Sequence, residues 1–236
     1  MKSQTSTLRA ASVALLLFLP FASGSARAEE PGQPPADSAA HEIGWKDVAL
    51  FAGGAATAFL AHEAGHTITN LSLGNVPHLE SVRFLGFVPF FAVSPEITCF
   101  NSGCIKSDGS RFGAGKRGLL LILMAGFDVQ HITDEVLLTR DPALRLHHAP
   151  FRTGLLAFNT LTSVAYAIAN LGDFEPPAGD LHAAFRDTQA PRIWTTSLLV
   201  GIAGLDVARW AWPEVPWIAW VSRAAKVAFL GLPLEI

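Results

Sequence analysis

Charge is scarce in this chain. Only 16% of its 236 residues are Asp, Glu, Lys or Arg, and their formal sum is -3 at pH 7. No basic tract stands out, so no nucleic-acid partner is expected. Cysteine is nearly absent: Cys99 and Cys104 are the two, enclosed in the string CFNSGC. A pair of thiols alone makes a poor zinc knuckle. It leaves a small disulfide loop in an oxidising compartment or two unreactive thiols, and the sequence does not choose between them. There is no internal repeat. The length has room for one domain, or for one small bundle of membrane helices.

What is present is apolar. Half of the residues are hydrophobic, and the mean hydropathy of +0.34 leans towards a membrane protein. At the N-terminus, Lys2 and Arg9 supply a positive region and residues 10–21 an apolar core. Ala26-Arg27-Ala28 follows as a small-x-small cleavage site, so residues 1–28 read as a signal peptide. Residues 29–44 read as a polar, proline-rich disordered lead, and residues 45–236 as a single domain.

Four apolar segments follow, at residues 45–73, 118–138, 153–171 and 193–212, each near the roughly 20 residues a helix needs to span hydrocarbon. A fifth, residues 217–232, carries Arg223 and Lys226 and suits either a span or an interfacial helix. Trp194, Trp210, Trp212, Trp217 and Trp220 sit near segment ends, as interfacial anchors would. Residues 82–95 (VRFLGFVPFFAVSP) are rich in Phe and Val but broken by Gly86, Pro89 and Pro95, which predicts strands or a re-entrant loop. The expected fold class is an all-α membrane bundle of four to five transmembrane helices, with that strand or loop segment after the first. Asp206 and Arg209, at i and i+3 in the fourth segment, read as an intramembrane ion pair. Lys106, Arg111, Lys116 and Arg117 put the loop before the second segment in the cytoplasm, and CFNSGC in that same loop pulls the other way.

The densest chemical signal is His62-Glu63-Ala64-Gly65-His66, an H-E-x-x-H string following a charge-free run, residues 48–61. On a helix the two histidines project from one face and can share a metal, and Glu63 can reach a metal-bound water as general base. A catalytic zinc site has three protein ligands and an open water position. The sequence offers five candidates for the third: Asp180 in Glu175-Pro-Pro-Ala-Gly-Asp180-Leu-His182, Asp173, and the trio Asp128, His131 and Glu135, which shares a helical face. Asp180 is favoured, because two intervening spans return the chain to the histidine side and Pro176-Pro177 with Gly179 stiffen its approach. The trio could instead orient a histidine through its free ring nitrogen. Asp128, Gln130, His131, Thr133 and Asp134 are candidate walls for a polar cavity that admits water.

His62 to His66, continued by Leu71-Ser72-Leu73-Gly74-Asn75, resembles the first metal-binding segment of the site-2 protease family, which carries HExGH with a Leu-Gly pair shortly after. That resemblance covers about 30 residues. It implies an intramembrane zinc metalloprotease of the bacterial inner membrane, multi-pass. Its Zn2+ would be held by His62, His66 and an Asp, with Glu63 as base. The partners it implies are the lipid bilayer and a membrane protein or membrane-proximal peptide as substrate. It also implies strands or a re-entrant loop after the first helix. The family's third ligand sits in Leu-Asp-Gly, whereas here glycine precedes Asp180, so the chain reads as a divergent member. Two other readings are a different integral-membrane metallopeptidase taking Glu135 as third ligand, and a membrane scaffold or metal-handling protein without hydrolysis.

Overall fold

The computed structural model describes residues 43–84, 88–172, 180–188 and 191–234. The expected signal peptide, the lead up to residue 42 and Asp173 lie outside these. Helix α1, Trp45–Ser72, is the longest element. At its start Gly44 donates its N–H to the Asp47 carboxylate at 2.9 Å, which satisfies one of the donors a helix N-terminus leaves free. At its end the chain leaves through Gly74, whose φ of +71° favours a residue without Cβ.

Five short strands follow. β1 (His78–Phe84) and β2 (Val88–Ser94) form an antiparallel hairpin in which His78 faces Ser94 and Phe84 faces Val88. β3 (Ile97–Phe100), β4 (Gly103–Lys106) and β5 (Arg111–Phe112) form a second antiparallel sheet. Cys99 and Cys104 are cross-strand partners in β3 and β4 and are joined by a disulfide. The strand layer is stitched to the end of α1. Asn75 Nδ2 donates to Asn70 Oδ1 at 2.7 Å and to the Pro95 carbonyl at 2.8 Å, and Lys106 Nζ donates to the Gly74 carbonyl at 2.6 Å.

The rest is helical: α2 (Gly115–Arg140), α3 (Pro150–Leu171), the short α4 (Asp180–Thr188), α5 (Arg192–Ala211) and α6 (Pro216–Gly231). Apart from α4, these lie on the expected apolar segments to within a few residues at each end. α1 packs on α2 and α3, α2 on α4, α3 on α5, and α5 on α6. The expected fold class thus holds in its coarse form, a mostly helical chain with a small strand region after the first helix. The second sheet is an addition to it.

Backbone-to-backbone contact sets the closest crossings. A Cβ on Gly54 would lie 2.0 Å from the Phe151 carbonyl oxygen, and one on Gly154 would lie 2.0 Å from that of Phe51. Where α1 meets α2, a Cβ on Gly65 would come within 2.6 Å of the Ala125 carbonyl oxygen. Small residues at such crossings let two helices approach until main chains touch.

The interior is unusually polar and the exterior unusually apolar. Leu119, Ile122, Leu123, Phe127, Leu199 and Phe229 belong to the buried apolar cluster. Beside it Asn159 donates to Asp134 at 2.7 Å, and Lys226 pairs with Asp206 at 2.8 Å while Ser222 donates to the same carboxylate. Glu135 of α2 gathers Arg209, Arg223 and Lys226. The expected Asp206–Arg209 pair within one helix is not what forms. Each partner reaches to another helix, Asp206 to α6 and Arg209 to α2, because both are directed inward where neighbouring helices supply counter-charges. Leu60, Leu161, Ile168, Trp194, Trp217 and Val227, by contrast, are exposed. Among the described residues one helix, α3, is long and apolar enough to cross a membrane by length and composition. Four to five such helices were expected. The shortfall has a physical source in charge: α2 carries Asp128, Asp134 and Glu135, and α5 carries Asp206 and Arg209.

Gly154→Ala is expected to destabilise the fold by about 1–3 kcal/mol, the range for overpacking a tight contact. Gly201→Ala, whose Cβ meets nothing within 4 Å, should be neutral or stabilising. Thermal unfolding of the two variants under identical conditions compares them directly.

Candidate metal centre

His62 and His66 are one turn apart on α1, and both are buried, at 3% and 1% exposure. Their Nε2 atoms approach to 3.0 Å. Asp180, the first residue of α4, directs Oδ2 to 3.4 Å from His62 Nε2 and 3.3 Å from His66 Nε2. Ligands about 2.0–2.1 Å from one tetrahedral ion lie roughly 3.3 Å from each other. The triangle has edges of 3.0, 3.3 and 3.4 Å, so the three side chains are spaced to hold a metal ion between them.

The chemistry of the donors agrees with the spacing. His66 Nδ1 lies 2.7 Å from the Ile122 carbonyl, which can only accept, so Nδ1 keeps a proton and Nε2, which faces the centre, is the nitrogen that a metal would take. Burial alone would raise the pKa of Asp180. The imidazoles of His66 and His62 outweigh it through charge and hydrogen bonding, and hold the carboxyl well below the usual carboxylate range. The third corner is therefore anionic.

Space for the two rings is made by a glycine on α2. A Cβ on Gly126 would lie 2.4 Å from His62 Nε2 and 2.5 Å from His66 Nε2. Phe127, next to it, meets the His62 ring edge-to-face with centroids 5.2 Å apart and limits how far that ring can turn.

Glu63 stands beside the triangle, half-buried. Its Oε2 accepts the Val93 N–H of β2 at 2.8 Å. The hairpin thereby fixes one carboxylate oxygen and leaves Oε1 free of that bond.

The other candidates are placed as follows. Asp128, half-buried, and His131, buried, lie on α2, and Asp128 Oδ1 and His131 Nε2 have no hydrogen-bond partner among the described residues. His131 meets Phe229 edge-to-face at 4.9 Å. Glu135 is engaged by Arg209, Arg223 and Lys226 and takes no part in the centre. His62 Nδ1 is also without a partner among the described residues, so none of the trio orients it by a direct bond. Gln130, Thr133 and Asp134 lie on the same helix. Thr133 donates to the Val129 carbonyl and Asp134 accepts from Asn159, while neither polar atom of the Gln130 side chain has a partner among the described residues. Gly126, the Ile122 carbonyl and the Val93 N–H were not foreseen from the sequence. Only Gly126 leaves a trace there, as the glycine two residues before Asp128.

No protein-family model, curated protein or solved structure matches this chain.

Purified protein is expected to bind one divalent ion per chain. His62→Ala, His66→Ala and Asp180→Ala should each abolish stoichiometric binding, and Gly126→Ala should weaken it by about tenfold or more by displacing both rings. Asp128→Asn and Glu135→Gln should keep their metal. Metal analysis after dialysis reads all six, and loss confined to the last two would exclude the His–His–Asp centre.

Proposed function

We propose that the protein is an intramembrane zinc metalloprotease, similar to the site-2 protease family and divergent from it, that hydrolyses a peptide bond in or near the membrane. The observation that carries this reading is Glu63: a carboxylate adjoining a His–His–Asp triangle and clamped by a main-chain N–H from another element. A scaffold or metal-storage site needs the triangle but has no use for a positioned base. Two histidines four apart with an intervening glutamate, completed by a distant acid, form the donor set of hydrolytic zinc sites. Zinc bound there would polarise the scissile carbonyl and lower the pKa of its water to about 7.

The chain's own residues do the rest. Glu63, with Oε2 held by Val93, takes the proton of the attacking water at Oε1 and later delivers it to the leaving amine. His66, its tautomer fixed by the Ile122 carbonyl, and Asp180, anionic at neutral pH, keep the three donors aimed at one point. β2 supplies a surface for the substrate. Val93 turns its N–H away from β1 and towards Glu63, and in an antiparallel strand Phe91, two residues earlier, points its main-chain groups the same way. Among the described residues no strand pairs with that edge of β2. A substrate segment unwound from a helix can pair there, which presents its carbonyl beside Glu63.

Membrane residence is supported by the inverted polarity of the bundle. Ion pairs and carboxamides face inward, and exposed Leu, Ile, Val and Trp cover α1, α3, α5 and α6. In water such a surface would associate; in hydrocarbon it is the stable arrangement. A metallopeptidase using Glu135 as ligand gains no support, since that carboxylate is already neutralised by two arginines and a lysine.

Glu63→Gln is expected to lower hydrolysis of detergent-solubilised single-span reporter proteins by about 10²–10⁴-fold, the usual contribution of a general base. Zinc content should stay at one per chain. Turnover equal to wild type in a metal-replete variant would remove Glu63 from the mechanism, and cleavage by neither protein, over a broad reporter panel, would favour the scaffold reading.

A further inference from the structure

A groove of about 400 Å³ opens on the bundle surface between α1 and α3, and its inner end is the metal centre. His62 and Glu63 form that end, while Phe51, Phe59, Phe158 and Leu161 supply most of the walls. Phe59 and Phe158, one from each helix, meet edge-to-face with centroids 6.1 Å apart. Along α3 the lining runs from Ala157 to Tyr166, about 14 Å at helical rise, the length of roughly four residues of extended chain. No Lys, Arg or Asp lines it.

We propose that this groove is the substrate-selecting subsite of the protease proposed above. It seats an extended apolar stretch of polypeptide with a large aliphatic or aromatic residue beside the scissile bond, against the Phe59–Phe158 pair. This inference rests on the hydrolase reading and adds its specificity. Three features support the occupant. Glu63 both lines the groove and accepts the Val93 N–H, so a chain paired along the edge of β2 is continuous with the groove. The walls, mostly phenylalanine, leucine and alanine, gain by burying an apolar side chain, and a charged one loses its hydration there. The Glu63 carboxylate at the inner end repels an acidic residue in particular. Ala157 and Ala165 keep the passage open on the α3 side, where any larger side chain would fill it.

The test uses zinc-loaded full-length protein in detergent and N-acetyl amino-acid hydroxamates, which anchor on a metal and carry one side chain into the groove. Leucine and phenylalanine hydroxamates are expected to bind about tenfold tighter than the glycine compound, and the aspartate compound more weakly than glycine. Ala157→Trp and Ala165→Trp, made separately so that one misfolded variant does not end the experiment, should each reduce that preference to within about twofold. Glycine hydroxamate affinity and zinc content should not change. Partition of the probe into micelles is the same for wild type and variants, so it cannot produce the difference. Equal affinity for glycine and phenylalanine compounds, or a preference that survives both tryptophan substitutions, overturns the subsite while leaving the hydrolase reading intact. A decanoyl hydroxamate binding more tightly than the phenylalanine compound overturns it in favour of a lipid acyl chain. If no hydroxamate binds the zinc-loaded protein, the hydrolase reading fails and the subsite fails with it.

Discussion

Two imidazole nitrogens 3.0 Å apart in a protein interior, with a carboxylate oxygen closing the triangle, form the contact on which the structure around them depends. Two such nitrogens share either a proton or a metal ion, and where the two rings stand is set by their surroundings. Here that setting comes from main chain. The Ile122 carbonyl sets one ring's tautomer, the α1–α2 crossing at Gly65 fixes how near that carbonyl comes, and Gly126 yields the volume both rings occupy. Each of these is a property of two helices at one separation. Widening the crossing by an ångström would lose all three at once, which ties the packing of the bundle to the chemistry at its centre.

Away from that centre, the bundle is held by charges that only other helices can satisfy. Glu135 with Arg209, Arg223 and Lys226, and Asp206 with Lys226 and Ser222, join α2, α5 and α6. In a low-dielectric setting an ion without its partner is far more costly than the same ion on a wet surface. The network therefore acts more as a specification of which helices must meet than as a reserve of stability. Removing one member strands the others, so the helices cannot re-pair in another order without leaving a buried charge behind.

Much of this was legible in the sequence. Five apolar runs became five long helices because length and composition suffice to mark such segments, and the H-E-x-x-H spacing put two histidines on one face of a helix with no further information. Asp180 was favoured because the chain had to return to the histidine side after two crossings, an argument about connectivity that the observed convergence is consistent with. Other features were hidden for identifiable reasons. The Asp206–Arg209 expectation used only spacing within a helix, whereas buried charges are settled by neighbours far along the chain. The second sheet arises from short strands around Asn101-Ser102-Gly103 and Asp108-Gly109, too brief to announce themselves by alternation. The disulfide was an open choice because two thiols close in sequence need a hairpin register to meet, and register is not written in composition.

The clamp on Glu63 has a consequence for how this site can change over time. Its donor is the peptide N–H of residue 93, which every amino acid except proline carries. Position 93 can thus drift through almost any identity without loosening the base, as long as the strand keeps its course. A functional partner of this kind leaves no recurring letter for an alignment to find. Distant relatives could keep the same arrangement while sharing little beyond the two histidines, the glutamate and the glycines that make room for them.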